Sequence, residues 1–262
     1  MTGEIKCDQS NKATRAKLVM LTCYDASFAK LCAQARVDYL LVGDSAGMVL
    51  FGEKSTHHVQ LSDIVRLTSS VRKGLEGIEN PPLIIGDFPI STYRTADEAC
   101  ETAKILSDAG ADILKLEGAL PDIVGALKSA GYRVCAHLGL TPQTATEYRV
   151  QARKEDEANQ LILDAYALEK AGAEMLVLEM IPAPLAEKIT HNLKIPTIGI
   201  GAGAACSGQV LVLYDLLGLN PDFHPKFLKT YLDGASLVKR AIENFSNDVR
   251  SGQYPDREHS FQ

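Results

Sequence analysis

The chain has 262 residues, 46% of them hydrophobic and 23% charged, a balance that excludes a disordered or fibrous protein and leaves enough apolar material for a large core. Its 27 Lys and Arg against 33 Asp and Glu give a formal charge of -6 with no block of like sign, which argues against nucleic acid or a polybasic membrane contact. No apolar run approaches the roughly 20 residues that span a bilayer, and the opening MTGEIKCDQSNKATRAK lacks the apolar centre of a signal peptide, so a cytoplasmic location is expected.

After a polar segment over about 1–16, the apolar runs follow in order: KLVMLT (17–22), DYLLVG (38–43), PLIIGD (82–87), DILKLE (112–117), YRVCAHLG (132–139), EMLVLE (174–179), PTIGIGAG (196–203) and GQVLVLYD (208–215). Continuous rather than alternating runs suit parallel strands covered on both faces. Between the third and fourth, TADEACETAKILSDAGAD offers Thr95 as an N-cap with Glu98 three residues on. Ala99, Ala103 and Leu106 follow at helical intervals, and Gly110 is the stop. EANQLILDAYALEKAGAE repeats the design before the sixth run and also ends in Ala-Gly-Ala.

Matching helix-to-strand joints of this kind mark a βα repeat. Eight such units in one chain favour a (β/α)8 TIM barrel over a doubly wound sheet. No Pro-, Gly- or Ser-rich linker divides the chain, so 1–262 is expected to be a single barrel domain, closed by a C-terminal helix and tail over about 224–262. The six cysteines (Cys7, Cys23, Cys32, Cys100, Cys135, Cys206) are scattered, without zinc spacing, and read as free thiols in a reducing compartment.

Chemistry is signalled where the apolar runs end. Asp44 and Ser45 follow the second run, Asp87 the third and Glu117 the fourth, His137 lies in the fifth, and Glu179 ends the sixth. In a barrel these ends form one mouth, where the catalytic groups of this fold sit. Lys115 and Glu117, two apart, point to the same side, taken here as the interior. Asp44, Asp87 and Glu117 read singly as helix caps. Together they favour a hard divalent ion such as Mg2+, because crowded carboxylates repel one another without a cation.

Lys115 reads first as the counter-charge of Glu117, and His137 by itself as a hydrogen-bonded structural histidine. Glu179, set between apolar neighbours in VLEM, is either a buried acid paired with a basic group or a general base. The glycines of GIGAG (199–203) make a weak phosphate loop and are accounted for equally by close backbone packing near a ligand. His57 and His58 are adjacent, cannot easily face one ion, and read as loop or interface residues.

The motifs MLTCYDASFAKL, DYLLVGDSAGMVLFG, KLEGA, HLGLTPQ, IGIGAG, GQVLVLYDLLGL and the tail YPDREHSF, in this order from about Ala16 to Phe261, resemble the 3-methyl-2-oxobutanoate (ketopantoate) hydroxymethyltransferase family. The resemblance implies a (β/α)8 barrel assembled into homo-oligomers, commonly decamers. It also implies transfer of a hydroxymethyl group from 5,10-methylenetetrahydrofolate to 3-methyl-2-oxobutanoate through a Mg2+-stabilised enolate, giving 2-dehydropantoate for pantothenate and coenzyme A synthesis. On this resemblance Asp44, Asp87 and Glu117 hold the metal, and Ser45 and Lys115 hold the keto acid beside Asp44 and Asp87. His137 then belongs to the site wall and Glu179 is the proton acceptor.

Three positions depart from the family pattern. Ala136 and Ala119 stand where glycine is common and are expected to tighten the mouth, and Ser207 stands where aspartate is usual, removing a charge from the loop after the seventh strand. Two rival readings remain at this point. A metal-dependent lyase or mutase on the same barrel predicts a reactive cysteine in a Lys-Lys-Cys-Gly-like context, which none of the six occupies. A non-catalytic ligand-binding barrel is opposed by the intact acids and lysine.

Overall fold

The computed structural model describes residues 16–261. The polar segment expected over about 1–16, with Cys7, lies outside them apart from Ala16. Eight parallel strands close into a barrel in chain order: β1 Leu18–Thr22, β2 Tyr39–Val42, β3 Leu83–Asp87, β4 Ile113–Glu117, β5 Val134–Gly139, β6 Met175–Glu179, β7 Thr197–Ile200 and β8 Gly208–Leu211. Each apolar run supplies one strand, and β8 closes on β1 from Leu18 opposite Gly208 to Leu21 opposite Leu211. Successive side chains take opposite faces. Met20, Leu41, Ile85, Ile113, Cys135, Val177 and Val210 fill the barrel interior, while Leu40, Ile84, Leu114, Leu116 and Leu176 pack in the larger cluster beneath the helices.

The helices are α1 Ala26–Gln34, α2 Ala46–Val49, α3 Leu61–Gly74, α4 Ala96–Asp108, α5 Pro121–Ser129, α6 Glu155–Ala171, α7 Ala183–Asn192, α8 Leu213–Leu216 and α9 Gly234–Ser251. Thr95 caps α4 as its sequence predicts, its hydroxyl accepting the Glu98 N–H at 3.2 Å. No helix among the described residues is long and apolar enough to cross a membrane, and the cysteines among them are free.

Strict alternation fails once, since β7 runs to β8 with no helix between them. Residues 201–207 are too few for one, and their carbonyls need another donor. The Lys17 ammonium supplies it, donating to Ala204 and Ala205 at 3.3 and 3.4 Å and to the Cys206 carbonyl. Ser207 then pins the strand starts: its hydroxyl accepts the Thr197 N–H and its own N–H reaches the Thr197 hydroxyl, each at 3.2 Å. The departure at Ser207 therefore acts at the base of β7 and β8, away from the mouth. Ala136 is fully buried in the cluster behind the sheet and Ala119 is exposed, so neither narrows the mouth, contrary to expectation. The strand position of Ala136 turns its methyl away from the interior, and Ala119 is not among the residues that line the cavity at the mouth.

Candidate active site

The mouth is a cavity of about 430 Å³ whose polar floor is made by Thr22, Asp44, Ser45, Lys115, Glu117, His137 and Glu179. β4, β5 and β6 present Lys115, Glu117, His137 and Glu179, while the turn from β2 into α2 delivers Asp44 and Ser45. Asp87, the last residue of β3, sits just beneath: it is 1% exposed and shares a small adjoining void with Asp44. The structure thus brings every predicted site residue to one end of the barrel, with Asp87 one layer down.

Lys115 is bound first to Asp87, not to Glu117. Its ammonium donates to both Asp87 oxygens at 2.8 Å and stands 3.7 Å from Glu117. Asp87 and Lys115 are register partners on neighbouring strands, which sets their side chains side by side, whereas Glu117 is two residues, about 7 Å, farther up its strand. Charges continue from there as a chain. His137 Nδ1 lies 3.4 Å from Glu117, and its Nε2 lies 3.3 Å from Glu179. Neither contact has hydrogen-bond geometry, so the attraction is one of charge. Glu117 is fixed from the other side by the Gln143 N–H at 3.1 Å.

These surroundings set the protonation states. Burial opposes the charge of Lys115, but Asp87, Glu117 and Asp44 outweigh it and hold the ammonium above the ordinary lysine range. Burial likewise opposes a charged His137, yet Glu117 and Glu179 lift its pKa to about 9. Glu117 is held below its usual value because Lys115 and His137 overcome the effect of its burial. Asp44 goes the other way, pushed up to about 8 by burial and by the neighbouring Asp87.

Backbone geometry aims Glu179. A Cβ on Gly139 would lie 2.2 Å from the Glu179 carbonyl oxygen, and Gly139 has φ 99, so only glycine lets β5 and β6 approach here. Met180 next to it takes φ 46, a left-handed conformation unusual for a side-chain-bearing residue. It is held by its N–H to Ile200 and by the Gln151 N–H to its carbonyl, each at 2.8 Å.

Several groups escaped the sequence reading. Tyr24 shares a 2.8 Å hydrogen bond with Ser45, Thr22 accepts the Leu213 N–H at 3.0 Å, and Gln143 donates to the Phe88 carbonyl at 3.1 Å. Thr22 ends its apolar run just as Asp87 and Glu117 end theirs, which was signal enough. Close packing accounts for the GIGAG glycines: a Cβ on Gly203 would come within 2.5 Å of the Ala183 methyl, and one on Gly201 within 3.3 Å of Met180 and of Phe227. His57 and His58 lie in a short 3-10 turn, Thr56–His58, between α2 and α3, where His57 Nε2 is 3.1 Å from the Pro142 carbonyl.

Among the described residues no three His, Cys, Asp or Glu side chains are grouped so as to hold a metal ion between them. The donor chemistry nevertheless suits a hard cation. Buried Asp44 Oδ2 and Glu117 Oε1 have no hydrogen-bond partner, and Mg2+ characteristically takes one or two carboxylates and completes its shell with water and substrate oxygens.

A family model described as ketopantoate hydroxymethyltransferase matches residues 4–257. The chain belongs to the ketopantoate hydroxymethyltransferase family. It is 44% identical over 258 residues to the 3-methyl-2-oxobutanoate hydroxymethyltransferase of Idiomarina loihiensis, covering 97% of this chain and 96% of that one. It is 46% identical over 259 residues to 3-methyl-2-oxobutanoate hydroxymethyltransferase 2 of Pseudomonas fluorescens, covering 97% and 96%. Among solved structures, the phosphoenolpyruvate phosphomutase of Streptomyces platensis subsp. rosaceus superposes with a TM-score of 0.61 at 11% identity, covering 92% of this chain and 85% of that one. At that identity the likeness is one of fold alone, so the lyase or mutase rival has no sequence support to set against the hydroxymethyltransferase family.

Proposed function

We propose that this chain makes 2-dehydropantoate by transferring a hydroxymethyl group from 5,10-methylenetetrahydrofolate to 3-methyl-2-oxobutanoate, with the keto acid seated on the polar floor of the barrel mouth. The observation that carries the reading is the run of buried charges from Asp87 through Lys115, Glu117 and His137 to Glu179, which ends in an acid facing the cavity. Lys115 and the Ser45 hydroxyl, both on the cavity wall, hold the anionic keto acid. Glu179 removes the proton from C3, and the electron pair left behind passes towards the keto oxygen.

Asp44, through an Oδ2 without a hydrogen-bond partner, and Glu117, through an Oε1 that makes only charge contacts with His137 and Lys115, would hold a divalent cation such as Mg2+. Asp87 joins them only by giving up one of its two contacts with Lys115. When bound, the cation supplies positive charge where negative charge develops on the substrate. C3 bonds to the one-carbon unit, and both C–N bonds that tie this unit to N5 and N10 of the folate break in the transfer. One water supplies the oxygen and proton of the new hydroxyl; its other proton and the C3 proton taken up by Glu179 go to N5 and N10, giving 2-dehydropantoate and tetrahydrofolate. Free cysteines fit a reducing, cytoplasmic setting for this chemistry.

The test is incubation of the purified protein with 3-methyl-2-oxobutanoate, 5,10-methylenetetrahydrofolate and Mg2+, followed by mass spectrometry. Appearance of 2-dehydropantoate is expected, and its absence would overturn the reading.

A further inference from the structure

The cavity is larger than the keto acid needs. If liquid water's share of about 30 Å³ per molecule is allowed to each of its roughly eight non-hydrogen atoms, the keto acid takes little more than half of the 430 Å³. The two sides of the cavity also differ. Strands β2 to β6 contribute the charged floor, whereas β7, β8 and the segment that follows β8 contribute Ile200, Val212, Phe223, Phe227 and Leu228. Phe227 lies against the β7–β8 loop, its ring 3.3 Å from where a Cβ on Gly201 would sit.

One acid is embedded in this apolar side. Asp215, on α8, is 7% exposed and lines the cavity, where its carboxylate accepts the Asn220 amide at 3.3 Å. Nothing in the proposed chemistry uses it. A carboxylate in an apolar slot matches a flat ring that carries two parallel N–H donors on one edge.

We infer that this side of the mouth is the seat of the pterin ring of the reduced folate, with Phe227 and Leu228 against the ring and Asp215 accepting from its N3–H and 2-amino groups. The inference rests on the proposed hydroxymethyl transfer and adds the position of the donor. A pterin held here has the charged floor on its open side, so that its one-carbon unit faces the keto acid across the barrel mouth. Asn220 positions the Asp215 carboxylate and restricts it to one orientation.

Calorimetric titration with tetrahydrofolate and with its 2-deamino analogue tests the seat in wild type, Asp215→Asn and Phe227→Ala. Asp215→Asn should weaken tetrahydrofolate binding by about 10- to 100-fold, the effect of losing hydrogen bonds to a charged acceptor. Phe227→Ala should weaken it by about 10-fold through lost ring contact. The KM for the folate should rise in both variants, with that for the keto acid changing by no more than about twofold. Wild type should discriminate against the 2-deamino analogue, and Asp215→Asn should not.

Wild-type affinity in both variants, or undiminished discrimination in Asp215→Asn, would overturn the seat. Phe227→Ala, at a half-buried position, decides the matter should Asp215→Asn not fold. A wild type that binds tetrahydrofolate with the predicted discrimination yet forms no product would overturn the transfer reading and leave the seat standing.

Discussion

Glu179 differs from Glu117 and Asp87 in how it meets solvent: 14% of its side chain is exposed, against 1% for each of those two. A base must reach its substrate and be ionised. That favours Glu179 over Glu117 and Asp87, committed to Lys115, His137 and the Gln143 N–H, and over Asp44, half-buried like Glu179 but with its carboxyl pushed up to about 8. Glu179→Gln keeps the shape and removes the basicity, so exchange of the keto-acid C3 proton with solvent deuterium, followed by NMR, should slow by roughly 100-fold or more. Exchange at the wild-type rate would show that Glu179 is not the base. The metal site permits a comparison at the same scale. Asp44 Oδ2 has no partner, whereas both Asp87 oxygens already take the lysine. Asp44→Asn should therefore weaken Mn2+ binding, read by electron paramagnetic resonance, more than Asp87→Asn does. Chelation should abolish turnover and Mg2+ restore it, and equal affinities in the two variants would remove the distinction. Lys115→Met leaves Asp87 buried without its counter-charge and should cost about 3–5 kcal/mol in denaturant unfolding.

Strands, helices and their joints were legible where the signal is local. Thr95 and Glu98 mark the start of α4, and the two-residue spacing of Lys115 and Glu117 places both inside the barrel, because cap chemistry and strand pleat are written in consecutive residues. The partner of Lys115 was not legible, since the register between β3 and β4 is set by closure of the whole barrel and leaves no trace within KLEGA. The missing helix between β7 and β8 was legible too, since residues 204–207 alone separate the two runs, too few for a helical crossover. Gly139 shows how a joint can serve the site. A methyl there would meet the Glu179 carbonyl, and alanine resists φ 99. Gly139→Ala should lower stability by about 2–4 kcal/mol and, by displacing Glu179, reduce C3-proton exchange as well. A variant with wild-type stability would show that β5 and β6 can part at no cost.

At the scale of the whole molecule, α9 has more apolar surface than one barrel covers. Val238, Ile242, Phe245 and Val249 recur at helical spacing and are 47 to 59% exposed, and Leu237 beside them is 41% exposed. A stripe of this kind along an 18-residue helix is far from the scattered exposure normal for a monomer. Beyond the helix Tyr254 folds back on Phe245, ring centroids 5.5 Å apart, which extends the patch, while Phe261 is fully exposed. Exposed apolar area of this extent is relieved by association, and a homo-oligomer is the expected form. Light scattering at micromolar concentration should give a mass well above the 28.3 kDa of one chain. Charge at the centre of the stripe, as in Ile242→Asp with Phe245→Asp, should lower that mass while each barrel stays folded, because these side chains lie outside the interior core clusters. A wild type that runs as a clean monomer would refute the assembly. It would leave the chemistry of the mouth untouched, since the cavity is lined without α9.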